Sequence, residues 1–216
     1  MERYLVTGGA GFIGSHLALT LAEAGQPVRV FDDFSSGRAA NLASASVAAS
    51  ARLEIVRGDL RDAEAVRAAA AGVDVIFHEG AIASVPRSLV EPATTLDVNV
   101  KGLLHVLEAA RQTGVRRIVI ASSSAIYGDT ATLPLREDLP PRPLSPYAAH
   151  KLADEQLCAV YARLYGLETV ALRYFNVYGP RQDPHSEYAA VIPRFVAKLR
   201  AGERPIVYGD GEQTRD

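Results

Sequence analysis

The sequence has little of what secreted, membrane-spanning or nucleic-acid-binding proteins use. Its 216 residues include one cysteine, Cys158, which excludes an internal disulfide and favours a reducing compartment. No apolar run is long enough to span a membrane, and the first residues lead into a predicted strand rather than a signal peptide. The formal net charge of −2 argues against non-specific nucleic-acid binding. We therefore expect a cytoplasmic protein with no membrane or nucleic-acid partner.

What is present is an ordinary globular composition, 48% hydrophobic and 22% charged, in which apolar runs alternate with helical patterns. The predicted strands are Tyr4–Val6, Val28–Phe31, Leu53–Val56, Val73–Phe77, Arg117–Ala121 and Thr169–Leu172. Continuously apolar strands are typical of a parallel sheet covered on both faces, so we predict a doubly wound α/β domain. Beyond the sixth strand the alternation stops, and only a helix at Ile192–Leu199 and a short strand at Ile206–Tyr208 are predicted.

The stretch Thr7–Gly14 organises the rest of the chain. Its glycines at 8, 9, 11 and 14 fit both G-x-G-x-x-G and G-x-x-G-x-x-G, between the first strand and a helical pattern that stops at Gly25. Glycines in that position allow a tight turn and a close approach to a pyrophosphate, which the helix N-terminus favours. A tight turn without a ligand is the alternative, and the acidic residues downstream argue against it.

Asp32 and Asp33 end the second strand, and Asp32 comes 21 residues after Gly11. A carboxylate at about this offset meets the adenosine ribose hydroxyls of a dinucleotide. Two adjacent acids would repel a 2′-phosphate, so NAD is favoured over NADP, with Arg38 as the counter-argument. Asp59 and Leu60 follow the third strand, where Asp59 could lie near an adenine, cap the next helix, or do both.

Polar residues also follow the fourth and fifth strands. His78 is interpreted as a packing residue rather than a metal ligand, because no partner His or Cys stands at ligand spacing. Asn99 falls at a buried point of a helix predicted to begin at Asp97, so it should have a hydrogen-bond partner. The fifth strand ends in Ser122-Ser123-Ser124.

Tyr147 and Lys151 are four residues apart in a helix that Ser145 and Pro146 are predicted to open. That spacing places both side chains on one helix face. An ammonium beside a phenol favours the phenolate, and such a pair with a nearby serine can exchange a proton with a substrate alcohol. An ordinary surface pair is the alternative, and the glycine stretch and the serine-ended strand favour the catalytic interpretation.

Four stretches together resemble the extended short-chain dehydrogenase/reductase family, and within it the NAD-dependent nucleotide-sugar 4-epimerases. They are Thr7–Gly14, Ser122–Gly128, Tyr147-x-x-x-Lys151 and Arg173–Pro180. The resemblance runs from residue 3 to residue 216. It implies a Rossmann-type domain over residues 1–174, carrying NAD and the catalytic residues, and the start of a substrate-binding domain over residues 175–216.

The resemblance also assigns roles to individual positions, and it implies no metal. The implied NAD contacts are Gly8, Gly11, Phe12, Ile13, Gly14, Asp32, Asp33, Asp59, Leu60, Asn99, Tyr147, Lys151 and Tyr174. The implied catalytic group is Ser123, with Ser124 as its neighbour, Tyr147 and Lys151. The implied contacts to a UDP-sugar are Ser84, Val85, Ser123, Asn176, Ala190, Val191, Arg194 and Arg215.

By the same resemblance, Tyr147 takes the proton of the sugar 4-hydroxyl, and the C4 hydride passes to NAD and returns to the other face of a 4-keto sugar. A homodimer formed through the helices near Asn99 and Ser145 is also implied. The alternatives are another activity of the family on nucleotide sugars, such as a 4-keto reductase or dehydratase, and a non-catalytic NAD-binding protein.

Three departures from the family pattern qualify this expectation. His150 replaces the usual serine or threonine before the lysine, and the segment after His78 reads Glu79-Gly80-Ala81 where small-residue pairs such as Ala-Ala are usual. Ser124-Ala125 stand where dehydratases carry acids, which disfavours dehydration. In the family a further stretch follows Arg215-Asp216 and completes the substrate domain, so a naturally shortened chain would be expected to bind NAD and turn over poorly.

Overall fold

The structure is a computed structural model that describes residues 1–183, 191–207 and 209–212. All six predicted strands form, and they make one parallel sheet in the order β3-β2-β1-β4-β5-β6. The strands are β1 Tyr4–Thr7, β2 Val28–Asp32, β3 Leu53–Arg57, β4 Val75–His78, β5 Arg117–Ser123 and β6 Glu168–Tyr174. The chain reverses direction across the sheet between β1 and β4, which opens a crevice at their carboxyl ends.

Helices cover both faces of this sheet. They are α1 Phe12–Glu23, α2 Val47–Ser50, α3 Ala63–Ala70, α4 Val85–Val90, α5 Pro92–Leu96, α6 Gly102–Thr113, α7 Pro146–Tyr165 and α8 Val191–Arg200. Short 3₁₀ turns lie at Ala39–Asn41 and Ser124–Tyr127, and a π turn at Asp97–Lys101 joins α5 to α6. Among the described residues, no helix is both long and apolar enough to cross a membrane.

The two faces of the sheet build separate cores, as a doubly wound fold requires. On one face Leu5 packs with Ile76 and Leu107, and on the other Val6 packs with Val30. Adjacent residues of β1 serve opposite cores because successive side chains of a strand point to opposite faces. Cys158 is buried in the first cluster, and burial raises the pKa of its thiol to about 12.

Two predictions about helices need correction, and so does one about a strand. The helix predicted to begin at Asp97 continues from α5, because a π turn keeps the backbone helical across that point. Asp62 rather than Asp59 caps α3, since its carboxylate accepts from the N–H groups of Glu64 and Ala65. Ile206 and Val207 form no strand, because they pair with none of the six strands. Tyr208 lies outside the described residues.

Candidate active site

A cavity of about 590 Å³ follows the carboxyl ends of the strands, a size typical of small-molecule sites. Most of the residues that the sequence analysis predicted to form the site line this cavity. They are Gly8, Gly11, Phe12, Ile13, Gly14, Asp32, Asp33, Asp59, Leu60, Ser123, Tyr147, Lys151, Tyr174 and Asn176. The glycine turn and the acidic residues form one part of the wall, and the part formed by Ser123, Tyr147 and Lys151 is here called the reactive end.

The glycine turn is tight because two of its positions have no room for a side chain. Gly8 has φ +63°, and a Cβ there would lie 2.6 Å from the backbone nitrogen of Gly80. A Cβ on Gly14 would overlap the carbonyl oxygen of Gly8. Gly11 caps α1 without a side-chain hydrogen bond, so the first N–H groups of that 12-residue helix remain available to an anion at this wall of the cavity.

Asp32 joins the end of β2 to this turn. Its Oδ2 accepts from the N–H of Ala10 at 2.8 Å, and its Oδ1 accepts from the N–H of Phe34 at 2.8 Å. The residue is 7% exposed and lines the cavity. A carboxylate has about four acceptor positions, so two remain for ribose hydroxyls. The cramped glycine turn, the open helix terminus and this acceptor fit a dinucleotide.

The charged residues near Asp32 each have a hydrogen-bond or ion-pair partner within the protein. Asp33 is exposed and accepts from the N–H and hydroxyl of Ser35. Arg38, the counter-argument for a 2′-phosphate, forms an ion pair with Asp183. A hydrogen bond from Arg61 lowers the pKa of Asp59, so Asp59 presents a carboxylate to the cavity.

Ser122 and Ser123 have different surroundings because they are adjacent in β5. Ser122 is buried and its Oγ donates to Glu155 Oε1 at 2.6 Å. Ser123 faces the cavity, and its Oγ accepts from the N–H of Ala125 at 3.1 Å. Ser124 follows in the 3₁₀ turn and does not line the cavity. Ser122 also lines the cavity, but its hydroxyl donates to Glu155, so Ser123 is the one of the three serines that lines the cavity with a hydroxyl hydrogen still available.

Tyr147 and Lys151 lie in the first two turns of α7. Ser145 caps that helix by accepting from the N–H of Ala148, and Pro146 is its first residue, both as predicted. The N–H of Tyr147 donates to Ser88 Oγ at 3.1 Å, which ties the start of α7 to α4. Lys151 is 3% exposed, and its ammonium lies 3.5 Å from Asp154 Oδ2.

Glu79 also lines the reactive end, and no sequence pattern identified it as a site residue. The phenol of Tyr174 donates to its Oε1 at 3.2 Å. Burial raises the pKa of the Glu79 carboxyl to about 7, against the opposing effects of that hydrogen bond and of the Lys151 charge. The one indication in the sequence was that Glu79 belongs to the segment Glu79-Gly80-Ala81, which departs from the small-residue pair that is usual in the family.

A polar network holds the middle of α7 to the sheet. Arg173, in β6, donates through Nε to Glu155 Oε1 at 3.0 Å and through Nη2 to Glu155 Oε2 at 2.9 Å. Its Nη1 donates to the hydroxyl of Tyr127 at 2.9 Å. Burial acts to raise the pKa of Glu155, but hydrogen bonds from Arg173 and Ser122 outweigh it and leave the pKa lowered. This bidentate pair fixes the helix that carries Tyr147 and Lys151.

His78 is a packing residue, as predicted. It is buried, and its Nδ1 lies 2.8 Å from the hydroxyl of Thr7. Burial lowers the pKa of His78 to about 3, so the ring is neutral. Within the described ranges, no group of three or more His, Cys, Asp or Glu side chains could hold a metal ion.

Several predicted site residues lie away from the cavity wall. Asn99 accepts from the N–H of Ile82 and donates to its carbonyl, so it has the predicted partner and fixes a loop that lines the cavity. Ser84 is buried and caps α4, and Val85 begins that helix. Val191 and Arg194 belong to α8, outside the lining. Ala190 and Arg215 lie outside the described residues.

Arg87 and Gln182 line the cavity but were missed, because neither belongs to a recognisable spacing. Arg87 follows the cap of α4 and pairs with Glu91 at 3.4 Å. Only the packing of α4 against α5 and α7 brings such a residue to the site.

Several known proteins resemble this chain in sequence and in fold. The UDP-glucose 4-epimerase of Mycolicibacterium smegmatis is 46% identical over 216 residues, which cover 99% of this chain and 68% of that protein. The solved UDP-N-acetylglucosamine 4-epimerase of Methanobrevibacter ruminantium, in complex with UDP-N-acetylmuramic acid, superposes with a TM-score of 0.92 at 41% identity. That match covers 98% of this chain and 67% of the other.

A third match carries a different activity. The dTDP-glucose 4,6-dehydratase of Streptomyces venezuelae, solved with NAD bound, superposes with a TM-score of 0.85 at 39% identity, over 97% of this chain and 65% of its own. The present chain thus spans about two thirds of the length of these proteins. The sequence model of one family matches residues 4–216. The chain belongs to the NAD dependent epimerase/dehydratase family.

Proposed function

We propose that the chain is a nucleotide-sugar 4-epimerase that acts on a UDP-hexose or a UDP-N-acetylhexosamine with NAD as a resident cofactor. The observation that carries the proposal is the shared cavity. Ser123 of β5 and Tyr147 and Lys151 of α7 line one end of it, and the glycine turn and Asp32 line the other. The epimerase relatives support the substrate class.

Each part of the cavity has a role in this proposal. The glycine turn and the start of α1 hold a diphosphate, and Asp32 and Asp33 hold a ribose. Bound NAD would supply the acceptor that takes the hydride from the sugar C4 and gives it back. Tyr147, with Lys151 one turn further along α7, reacts in this proposal as a phenolate that accepts the proton of the 4-hydroxyl, and Ser123 hydrogen-bonds the same oxygen.

The nucleotide part of the substrate is assigned with less direct support. Asn176 lines the cavity, and Arg87 adds a cation at its wall. Val191 and Arg194 of α8, with Ser84 and Val85 near the sugar, complete the proposed contacts. The buried, unreactive thiol of Cys158 suits the cytoplasm, where we place the protein.

The proposed enzyme is a homodimer. The outer surfaces of α6 and α7 expose Leu104, Val160 and Leu164, and α4 exposes Leu89. Apolar side chains gathered on neighbouring helices are typical of a subunit interface. Sedimentation of the wild type and of Leu164→Glu tests this, since the charge should convert a dimer to a monomer.

A nucleotide-sugar 4,6-dehydratase is the second candidate. Glu79 places a protonatable carboxyl at the reactive end, and elimination of water from a 4-keto sugar needs an acid. A dehydratase is also among the structural neighbours. The epimerase remains favoured because Ser124 and Ala125, after Ser123, supply no acid.

Incubation with UDP-glucose and with UDP-N-acetylglucosamine tests the two candidates. The galacto epimer is expected, and a 4-keto-6-deoxy product would instead identify the dehydratase. Tyr147→Phe should lower turnover by about 10²–10⁴-fold, the usual contribution of a positioned acid/base group. Tyr165→Phe, on the exposed end of the same helix, is the matched control and should keep full turnover. Full activity of Tyr147→Phe would overturn the mechanism.

A further inference from the structure

Glu79 places a carboxyl group at the reactive end, where the proposed epimerase mechanism assigns it no role. It follows β4 directly, and its N–H donates to the carbonyl of Thr7 at 3.1 Å, which fixes its backbone at the point where the sheet order reverses. Its side chain is partly buried and lines the reactive end together with Tyr147 and Lys151. The Tyr174 phenol, from β6, donates to it at 3.2 Å.

The charged and titratable groups around Glu79 come from three elements. Tyr174 faces it from β6, and burial raises the pKa of that phenol. Lys151 acts on it from α7, with Asp154 on the other side of the ammonium. His78, its neighbour on β4, is neutral and bonded to Thr7 of β1. Lys151 is therefore the positive charge that acts on Glu79 here.

Lys151 creates an electrostatic problem for the proposed cofactor. The oxidised nicotinamide ring is a cation, whereas the reduced ring is neutral. An ammonium at the reactive end would favour the neutral, reduced ring. A carboxylate at the same end offsets that effect, because at short range in a partly desolvated cavity the interaction of two charges is worth several times its value in water.

We propose that Glu79 is a specificity-determining residue that makes the cavity prefer the oxidised dinucleotide to the reduced one. The inference rests on the proposed function, which places the nicotinamide at the end lined by Tyr147 and Lys151. Tyr174 holds the Glu79 carboxylate toward this end. A resident cofactor that must return to the oxidised form after every turnover needs such a preference.

The preference should follow the charge of Glu79. Because burial raises the pKa of the free carboxyl to about 7, Glu79 is neutral at pH 6 and anionic at pH 8.5. The ratio of the NADH dissociation constant to the NAD⁺ dissociation constant should therefore rise by about three- to tenfold across that range.

Binding to the nucleotide-free protein tests this without any turnover. NADH is titrated by its own fluorescence, which is simple here because the chain has no tryptophan, and NAD⁺ is measured by displacement of NADH. Glu79→Gln keeps the shape and can still accept from Tyr174, so its ratio should lose most of the pH dependence and keep only the part that comes from Asp154, since burial raises the pKa of that carboxyl to about 6. Glu64→Gln, exposed on α3, is the matched control and should behave as the wild type.

A second variant separates charge from structure. Tyr174→Phe removes a hydrogen bond that lowers the pKa of Glu79, so the pH midpoint of the ratio should move upward. A wild-type ratio that is flat with pH, or a pH dependence that is as large in Glu79→Gln as in the wild type, would overturn the inference while leaving the proposed function intact. Failure of either dinucleotide to bind at any pH would overturn both.

Discussion

The ammonium of Lys151 lies 3.5 Å from Asp154 Oδ2 inside α7, and the two residues are only 3% and 1% exposed. Burial raises the pKa of Asp154 to about 6, although the Lys151 charge and hydrogen bond oppose the shift. Asp154 is therefore the ion-pair partner of Lys151, and its burial also destabilises the folded state when its carboxyl group is charged. Burial penalises the charged form of this carboxyl group, because water does not stabilise it there.

This pair makes folding stability depend on pH. The folded pKa of Asp154 lies above its unfolded value of 3.8, so the folded state binds the extra proton, and stability falls as pH rises from about 4 to about 6. Between pH 4.5 and pH 7.5, Asp154 should lower the unfolding free energy of the wild type by about 2 kcal/mol, and Asp154→Asn should lack this contribution. Urea unfolding at the two pH values measures it. Asp62→Asn, at the exposed cap of α3, should leave the decline unchanged, and an equal decline in Asp154→Asn would contradict the assignment.

Ser122 and Ser123 should separate stability from activity. Ser123→Ala is expected to lower epimerase turnover by about 10²-fold or more while costing about 1 kcal/mol of stability, because its hydroxyl caps only one N–H. Ser122→Ala should cost about 1–3 kcal/mol, because it removes a donor from the charged Glu155, and should keep most activity.

Turnover assays and urea unfolding on the two serine variants provide the check. Loss of turnover in a stable Ser122→Ala protein would mean that the catalytic hydroxyl was assigned to the wrong serine.

Asp32 and Asp33 are adjacent but should respond differently. Asp32→Ala leaves the buried N–H groups of Ala10 and Phe34 without their acceptor, which should cost about 1–3 kcal/mol and weaken NAD binding about tenfold or more. Asp33→Ala loses only the two hydrogen bonds from exposed Ser35, so its effect on stability should be small. Thermal unfolding with and without NAD measures both effects. Equal losses in the two variants would contradict the structural role given to Asp32.

Asn99 should act through the loop that it holds. Asn99→Ala leaves the N–H and carbonyl of Ile82 unpaired, for a cost of about 1–3 kcal/mol. We expect the Michaelis constant for the sugar nucleotide to rise, since residues 79–83 line the cavity. Asn99→Asp should restore the acceptor for the Ile82 N–H and part of the stability. A variant with wild-type stability would show that these two hydrogen bonds contribute nothing.

The sheet and the cofactor end of the cavity were predictable because their signals are local. Apolar runs such as Val28–Phe31 mark buried strands, and a glycine turn between strand and helix has few other uses. The Ser145-Pro146 start of α7 was equally clear, since its cap chemistry lies within four residues.

The environment of the reactive end could not be predicted in the same way. Glu79 meets Tyr174 across 95 positions of sequence, and Arg173 meets Glu155 only because β6 lies beside α7. The helix start at Pro92 was missed because a π turn extends the helix where the sequence offers a plausible cap. Burial of Asp154 depends on packing and has no signature in the residues around it.

The bidentate grip of Arg173 on Glu155 has a consequence for how such a protein can change over time. The groups of α7 that are proposed to react are fixed from the sheet side, whereas other parts of the cavity wall come from connecting segments such as residues 79–83 and 175–177. Under the proposed function, replacements in those segments would alter which sugar is accepted without disturbing the proposed proton-transfer groups. A few substitutions in these loops would thus suffice to change the substrate, while the proposed proton-transfer chemistry would stay the same.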